Sequence, residues 1–152
     1  MLRIQDQKEM LELFREIDKD QVIVPGDMKF PLAVIDYLAW KEPSGQRTYL
    51  VLEDKTGGRP FAIALERTKN TEHVPMMCNW CHAIRPASDV ALMTVAVTKR
   101  KRVGLYLCSD ISCKSNILDS PSVHDMRETL DKTEKIIRLS QKIHNFINRE
   151  IL

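Results

Sequence analysis

The chain lacks the motifs by which most enzymes of its size declare themselves. It has no glycine-rich phosphate loop, no HExxH pair and no Ser or Cys nucleophile beside a plausible base. Nucleotide chemistry, zincin chemistry and acyl transfer therefore have no footing in it. No apolar stretch approaches the about 20 residues a membrane helix needs; Ala91 to Met93 and Ile35 to Trp40 are short or interrupted. Met1 to Lys19 alternates charged and apolar residues without a signal-peptide core, so a cytoplasmic protein is expected. Cysteine is absent outside two pairs, and neither Gly nor Pro occurs from Ser122 to Leu152. Internal repeats and low-complexity tracts are also lacking.

What remains is ordinary for a globular chain: 152 residues, 43% apolar and 29% charged. That size fits a single domain over residues 1–152, large enough to bury a core without leaning wholly on metal. Charge is uneven. From Lys99 onward the chain carries 11 basic and 7 acidic residues, against 12 and 14 before it. A basic C-terminal half suits an acidic partner surface, protein or nucleic acid. A solvated helix face accounts for part of it, but not for Lys99-Arg100-Lys101-Arg102.

Asp6 with Glu9 three residues on resembles a capping box, and Met10, Leu13, Phe14 and Ile17 follow at helical spacing. This predicts a short helix over 6–18. Strand-like pieces follow at 22–24, 32–40, 47–53 and 59–65, broken at Pro25-Gly26-Asp27, Pro43-Ser44-Gly45 and Thr56-Gly57-Gly58. Such breaks favour antiparallel hairpins. Residues 66–77 read as a loop. Strands at 89–98 and 103–108 would place the basic run at an exposed hairpin tip. Ser120-Pro121 then starts a helix of about 28 residues, roughly 40 Å long at 1.5 Å per residue. Met126, Leu130, Ile137, Ile143, Ile147 and Ile151 would share its apolar stripe. The predicted class is α+β: an antiparallel sheet over 1–70, a segment over 71–118 that holds both cysteine pairs, and a long C-terminal helix over 119–152.

The cysteines are Cys78-Asn79-Trp80-Cys81 and Cys108-x4-Cys113, with 26 residues between the pairs. In a reducing compartment, paired cysteines read as metal ligands. Four thiolates close a tetrahedral shell around one Zn²⁺ and leave no position for a catalytic water. A CxxC knuckle, a hairpin, then two ligands at a helical turn describe a treble-clef zinc finger over 71–118. Backbone N–H groups of the knuckle, with Lys114 and the basic hairpin, would offset the charge on sulfur. CxxCH also matches the haem c attachment motif, but it leaves Cys108 and Cys113 idle and needs export. A redox CxxC belongs at a strand-to-helix turn of a parallel fold, and four unliganded structural cysteines are the third alternative. His82 directly follows a ligand and suits a supporting or surface role. His73, His124 and His144 read as solvent-facing or partly packed. Trp80 sits on a tight knuckle, either partly exposed as an interface anchor or packed beneath the last helix.

Met77-Cys78-Asn79-Trp80-Cys81-His82, Asp89 to Met93, and Val103-Gly104-Leu105-Tyr106-Leu107-Cys108-Ser109-Asp110-Ile111-Ser112-Cys113 resemble the C-terminal treble-clef zinc finger of elongation factor G-binding proteins, the FusB-type fusidic acid resistance family. The resemblance is specific from about Pro75 to Asn116 and looser elsewhere. It implies zinc ligation by Cys78, Cys81, Cys108 and Cys113. It also implies binding to elongation factor G, which helps that factor leave the ribosome when fusidic acid has trapped it. Partner-facing positions carried over by it are Asn79, Trp80, Lys99, Arg100, Lys101, Arg102, Tyr106 and, in the last helix, Phe146. Members have an N-terminal domain of several helices, where this chain has room for one short helix. The implied activity is binding, not catalysis, with no membrane or small-molecule substrate. A ribosomal-RNA-binding zinc domain is the competing reading, opposed by a net charge of only +2.

Overall fold

The computed structural model describes residues 1–53, 59–68, 74–86, 88–119 and 131–151. The chain divides into two compact units, Met1–Thr68 with Met93–Gly104, and Lys69–Leu92 with Leu105–Leu152.

The first unit begins with β1 (Leu2–Ile4), α1 (Gln7–Glu12) and α2 (Glu16–Lys19), followed by β2 (Leu32–Val34), β3 (Tyr37–Lys41), β4 (Arg47–Leu52) and β5 (Phe61–Arg67). Asp6 caps α1 by accepting the Glu9 N–H at 2.8 Å, and Glu9 reaches back to the Gln5 N–H at 3.1 Å. The single helix expected over 6–18 is two, because Phe14 turns inward. The Ala62 N–H donates to the Leu13 carbonyl at 3.2 Å, and Phe14 bridges Ala62. Phe14 stands edge-on to both Trp40 and Tyr49, with centroids 6.1 and 6.0 Å away. Each such pair contributes about 0.5–1.5 kcal/mol beyond the burial of the ring. A forgone helical hydrogen bond is worth only about 1 kcal/mol net, so the aromatic anchor wins.

Strands β3 and β4 pair antiparallel with Trp40 opposite Tyr49, and β4 pairs with β5 with Tyr49 opposite Ala64. Beyond β5 lie β8 (Val90–Ala96), joined through Glu66–Thr94 and Arg67–Met93, and β9 (Arg102–Cys108). The five-stranded order is β3-β4-β5-β8-β9. Two expectations change here. Val22 to Val24 form no strand; Val22 and Val24 pack on the core, and the Ile23 carbonyl accepts the Trp40 indole N–H at 2.9 Å. The strand expected over 32–40 is broken at Asp36, whose φ is 66° and whose N–H donates to Glu53 Oε2 at 2.8 Å. Its first half instead pairs with β1, Leu2 opposite Val34. The turn expected at Thr56-Gly57-Gly58 lies outside the described residues, as do His73 and His124.

Buried within this unit, the Tyr49 hydroxyl lies 2.6 Å from the Gln21 carbonyl and 3.0 Å from Glu42 Oε2. Burial alone would raise the Glu42 carboxyl, but hydrogen bonds from Ser44 and Tyr49 and the charge of Arg47 hold it below its ordinary 4.5. Tyr49, by burial and the neighbouring carboxylate, is pushed up to about 12. Because folding lowers the Glu42 value, its contribution to stability is present above pH 4.5 and lost as pH falls through the lowered folded value. Glu42→Gln should therefore flatten the acid limb of a denaturation-versus-pH profile. Tyr49→Phe should cost about 1–2 kcal/mol in denaturant titrations at neutral pH.

The second unit contains β6 (Met76–Met77), β7 (Ile84–Arg85), α3 (Cys113–Asp119) and α4 (Lys132–Phe146), the last continuing as a π turn, Ile147–Ile151. Strands β6 and β7 pair antiparallel, Met77 opposite Ile84. Asp131 has extended backbone and accepts the Glu134 N–H at 2.8 Å, capping α4. That cap replaces the expected unbroken rod from residue 120 with a helix of 15 residues. The Ser120-Pro121 start, Met126 and Leu130 lie outside the described residues. The buried stripe is Leu139, Ile143, Phe146 and Ile147, while Ile137, expected on it, is exposed. Among the described residues no helix is long and apolar enough to cross a membrane. The α+β class, with antiparallel sheets and a C-terminal helix, is as the sequence predicts.

Candidate metal centre

The first ligand pair lies on the turn that closes the β6–β7 hairpin. The Cys78 N–H donates to the Ala83 carbonyl and the His82 N–H to the Cys78 carbonyl, both at 2.9 Å. His82 takes a left-handed φ of 63° to complete the turn. The second pair joins two elements: Cys108 ends β9 and Cys113 opens α3. Between them the Ile111 N–H donates to the Cys108 carbonyl at 2.9 Å, with Ile111 at φ 51°. Asp110 accepts the Ser112 N–H at 3.1 Å. Strand β9 holds the knuckle directly, its Tyr106 carbonyl accepting the Asn79 N–H at 2.7 Å.

All four sulfurs are buried and lie within 4.8 Å of one another. Cys78 and Cys113 are 3.6 Å apart, as are Cys81 and Cys108. A tetrahedral ion with Zn–S bonds of about 2.3 Å needs sulfur–sulfur edges of about 3.8 Å, so the cluster fits one structural Zn²⁺. Protonation tells the same story. Hydrogen bonds from Cys108, Cys113 and Cys81 pull Cys78 well below the ordinary thiol range. The same kind of contact with Cys108, Cys78 and Cys81, together with burial, pushes Cys113 well above it. Four sulfurs competing for protons are relieved when one divalent cation replaces those protons. The haem and dithiol readings, which left Cys108 and Cys113 unused, do not describe this convergence.

Three supporting residues escaped the sequence reading. Asn116 Nδ2 donates to Cys108 Sγ at 3.3 Å. It stands three residues after Cys113, one turn along α3, a spacing that could have revealed it. Arg85, raised against its own burial by a hydrogen bond with Cys108 and by that thiolate's charge, also bonds Ser112 Oγ at 3.2 Å. It adds a positive charge at the cluster that the sequence reading did not name. Lys142 of α4 donates to the Asn79 carbonyl at 3.1 Å and meets His82 Nε2 at 2.5 Å. Nothing local in sequence connects Lys142 with the knuckle. His82 thus takes the supporting position.

The other expected positions are scattered by environment. Trp80 packs on Phe146 of α4, centroids 6.1 Å apart, and both are buried; this is the packed alternative for Trp80. Asn79 and Tyr106 are half-buried. Lys99, Arg100 and Lys101 are exposed at the β8–β9 turn, where Thr98 Oγ1 accepts the N–H of Arg100 and of Lys101 at 3.2 and 3.1 Å. Arg102 lies back along the sheet, donating to Thr94 Oγ1 at 3.0 Å and meeting Glu66 Oε2 at 3.5 Å.

Among curated proteins, none matches this chain. A solved structure, that of the fusidic acid resistance protein FusC, is similar in fold at a TM-score of 0.53 and 20% identity. The match covers 74% of this chain and 52% of FusC, so the chain spans about half the length of that protein. The profile of the FBP C-terminal treble-clef zinc-finger family matches residues 12–149. With a match of that extent and a four-cysteine cluster built as a treble clef requires, the chain belongs to the FBP C-terminal treble-clef zinc-finger family.

Proposed function

We propose that this chain is a cytoplasmic, zinc-stabilised protein-binding module whose partner is translation elongation factor G. It acts without chemistry of its own. The carrying observation is the closed cluster of four buried sulfurs, which leaves a bound ion no position for water and so assigns it to shape rather than reaction. Membership of the family and a fold shared with a fusidic acid resistance protein support the choice of partner. Binding would promote release of the factor from the ribosome by favouring its released conformation, and so confer fusidic acid resistance. We assign the zinc ligands to Cys78, Cys81, Cys108 and Cys113. Direct contact falls to Asn79, Tyr106 and the exposed Lys99, Arg100 and Lys101. Trp80 and Phe146 pack on one another within the second unit as interior support for the knuckle, and Arg102 braces the strand.

Isothermal titration of the zinc-loaded chain with purified elongation factor G tests the reading, with ribosomal RNA as control. Association with the factor is expected; its absence at low salt would sink the proposal. Reversing two rim charges, Arg100→Glu with Lys101→Glu, should weaken binding about tenfold, mainly through association rate, and leave zinc content unchanged. The three exposed cations of the β8–β9 turn favour ribosomal RNA as the second reading. A steeply salt-dependent complex with RNA, and none with the factor, would select it.

A further inference from the structure

Arg85 ends β7 beside the metal centre, and its guanidinium reaches three groups of the second unit. It hydrogen-bonds Cys108, donates to Ser112 Oγ at 3.2 Å and lies 3.6 Å from Asp89 Oδ2. Asn116 Nδ2 closes the circuit, 3.3 Å from Cys108 Sγ and 3.4 Å from the same Ser112 Oγ. Backbone bonds fix the frame. The Asp89 carbonyl accepts the Ser109 N–H at 2.8 Å, and the Ser112 carbonyl accepts the Asn116 N–H at 2.9 Å. One ligand sulfur thus carries a cationic donor and an amide donor, tied to each other through a single hydroxyl.

We infer that Arg85 is a positioning residue of the metal centre, fixing and partly neutralising the Cys108 thiolate and so setting how tightly zinc is held. The inference rests on zinc ligation by the four cysteines and deepens it. Four thiolates around one divalent cation leave two negative charges uncompensated, at sulfurs that are all buried. One guanidinium removes half of that excess. Competing claims on Arg85 are weaker. Asp89 and Asp110 are both exposed, and water screens such pairs. Cys108 is fully buried. Charges at an effective dielectric of about 20 interact roughly four times as strongly as in water, so the guanidinium acts chiefly on sulfur. Asn116 adds a neutral donor, and charge-assisted hydrogen bonds are roughly twice as strong as neutral ones. Lysine at this position would keep the charge but lose the fork that meets Cys108 and Ser112 together.

Chelator competition on the full chain, with Zn²⁺ and then Co²⁺ as the probe metals, tests it. Arg85→Gln should bind zinc about 10–100-fold more weakly, the usual cost of removing an outer partner of a ligand. Donors on a thiolate lower its lone-pair energy, so their loss moves the sulfur-to-cobalt charge-transfer band to longer wavelength. That shift is expected in Arg85→Gln, smaller in Asn116→Ala, and partly reversed in Arg85→Lys. Amide spectra at saturating zinc identify the variants that fold; if Arg85→Gln does not, the other two carry both readouts. Wild-type affinity in Arg85→Gln would overturn the inference. So would weakened binding with an unmoved band that lysine fails to restore, the mark of a structural prop. A wild type that takes up no zinc removes the ligation reading itself. One ion held equally well by wild type and Arg85→Gln removes only the role of Arg85.

Discussion

Cys108→Ser should reduce zinc content from one ion per chain to near none and melt the second unit. Metal binding at a closed four-cysteine site is worth on the order of 10 kcal/mol of folding free energy, comparable with the whole stability of a domain, about 5–15 kcal/mol. Serine supplies no thiolate, and it deprives Asn116 Nδ2 and Arg85 of the sulfur they face. The first unit has its own core of Ile4, Met10, Phe14, Val34, Trp40, Tyr49 and Val51. Amide exchange there should therefore stay slow, notably along β4, while β6, β7 and α3 lose protection. Metal analysis of the purified variant decides the ligand set. Stoichiometric zinc in Cys108→Ser would show that Cys108 is not one of the ligands. Treating the wild type with a strong chelator should reproduce the same loss of protection.

Trp80→Ala should destabilise the second unit by about 3–5 kcal/mol, the usual cost of emptying a large aromatic site. Trp80 is 2% exposed and meets Phe146 edge-on across 6.1 Å. Its loss leaves a cavity bounded by a metal knuckle that cannot collapse freely. Trp80→Phe should restore most of the stability, because the ring contact survives in reduced form. Thermal melts measure both, with a shift of roughly 10 °C expected for the alanine variant. A change below about 1 kcal/mol would place the indole outside the packed interior. Binding to elongation factor G, measured where Trp80→Ala remains folded and zinc-loaded, separates support from contact. An unaltered affinity there means support alone.

Much of the metal centre was legible because its information is local. Two cysteine pairs with short spacings, one on a knuckle and one at a strand-to-helix junction, identify the ligands without any long-range knowledge. The β4, β5, β8 and β9 strands were visible for a similar reason, since alternating apolar residues bounded by turns leave a period in the sequence. Tertiary decisions did not leave one. Phe14 ended a helix that periodicity would have continued, because a place between Trp40 and Tyr49 was worth more than the next helical bond. Val22 to Val24 have strand-like composition yet serve as cover for the core. The pairing of β1 with β2 spans about thirty residues, and a three-residue strand carries too few alternations to be seen. Lys142 reaches Asn79 and His82 from 60 or more residues away. Its role depends on where α4 lies, which composition does not encode. Trp80 was undecided for the same reason: knuckle geometry permits exposure, and only the presence of Phe146 removes it.

His82 and Ile111 bear further on the molecule's life in a cell. Each holds a left-handed backbone that side-chain-bearing residues resist, Ile111 the more so for its branched Cβ. Such positions cost about 1–3 kcal/mol apiece, and here both lie in the loops that carry ligands. A chain without zinc bears that cost on the loop hydrogen bonds alone, without metal–sulfur bonds to offset it, so these two loops are expected to open before the rest of the second unit.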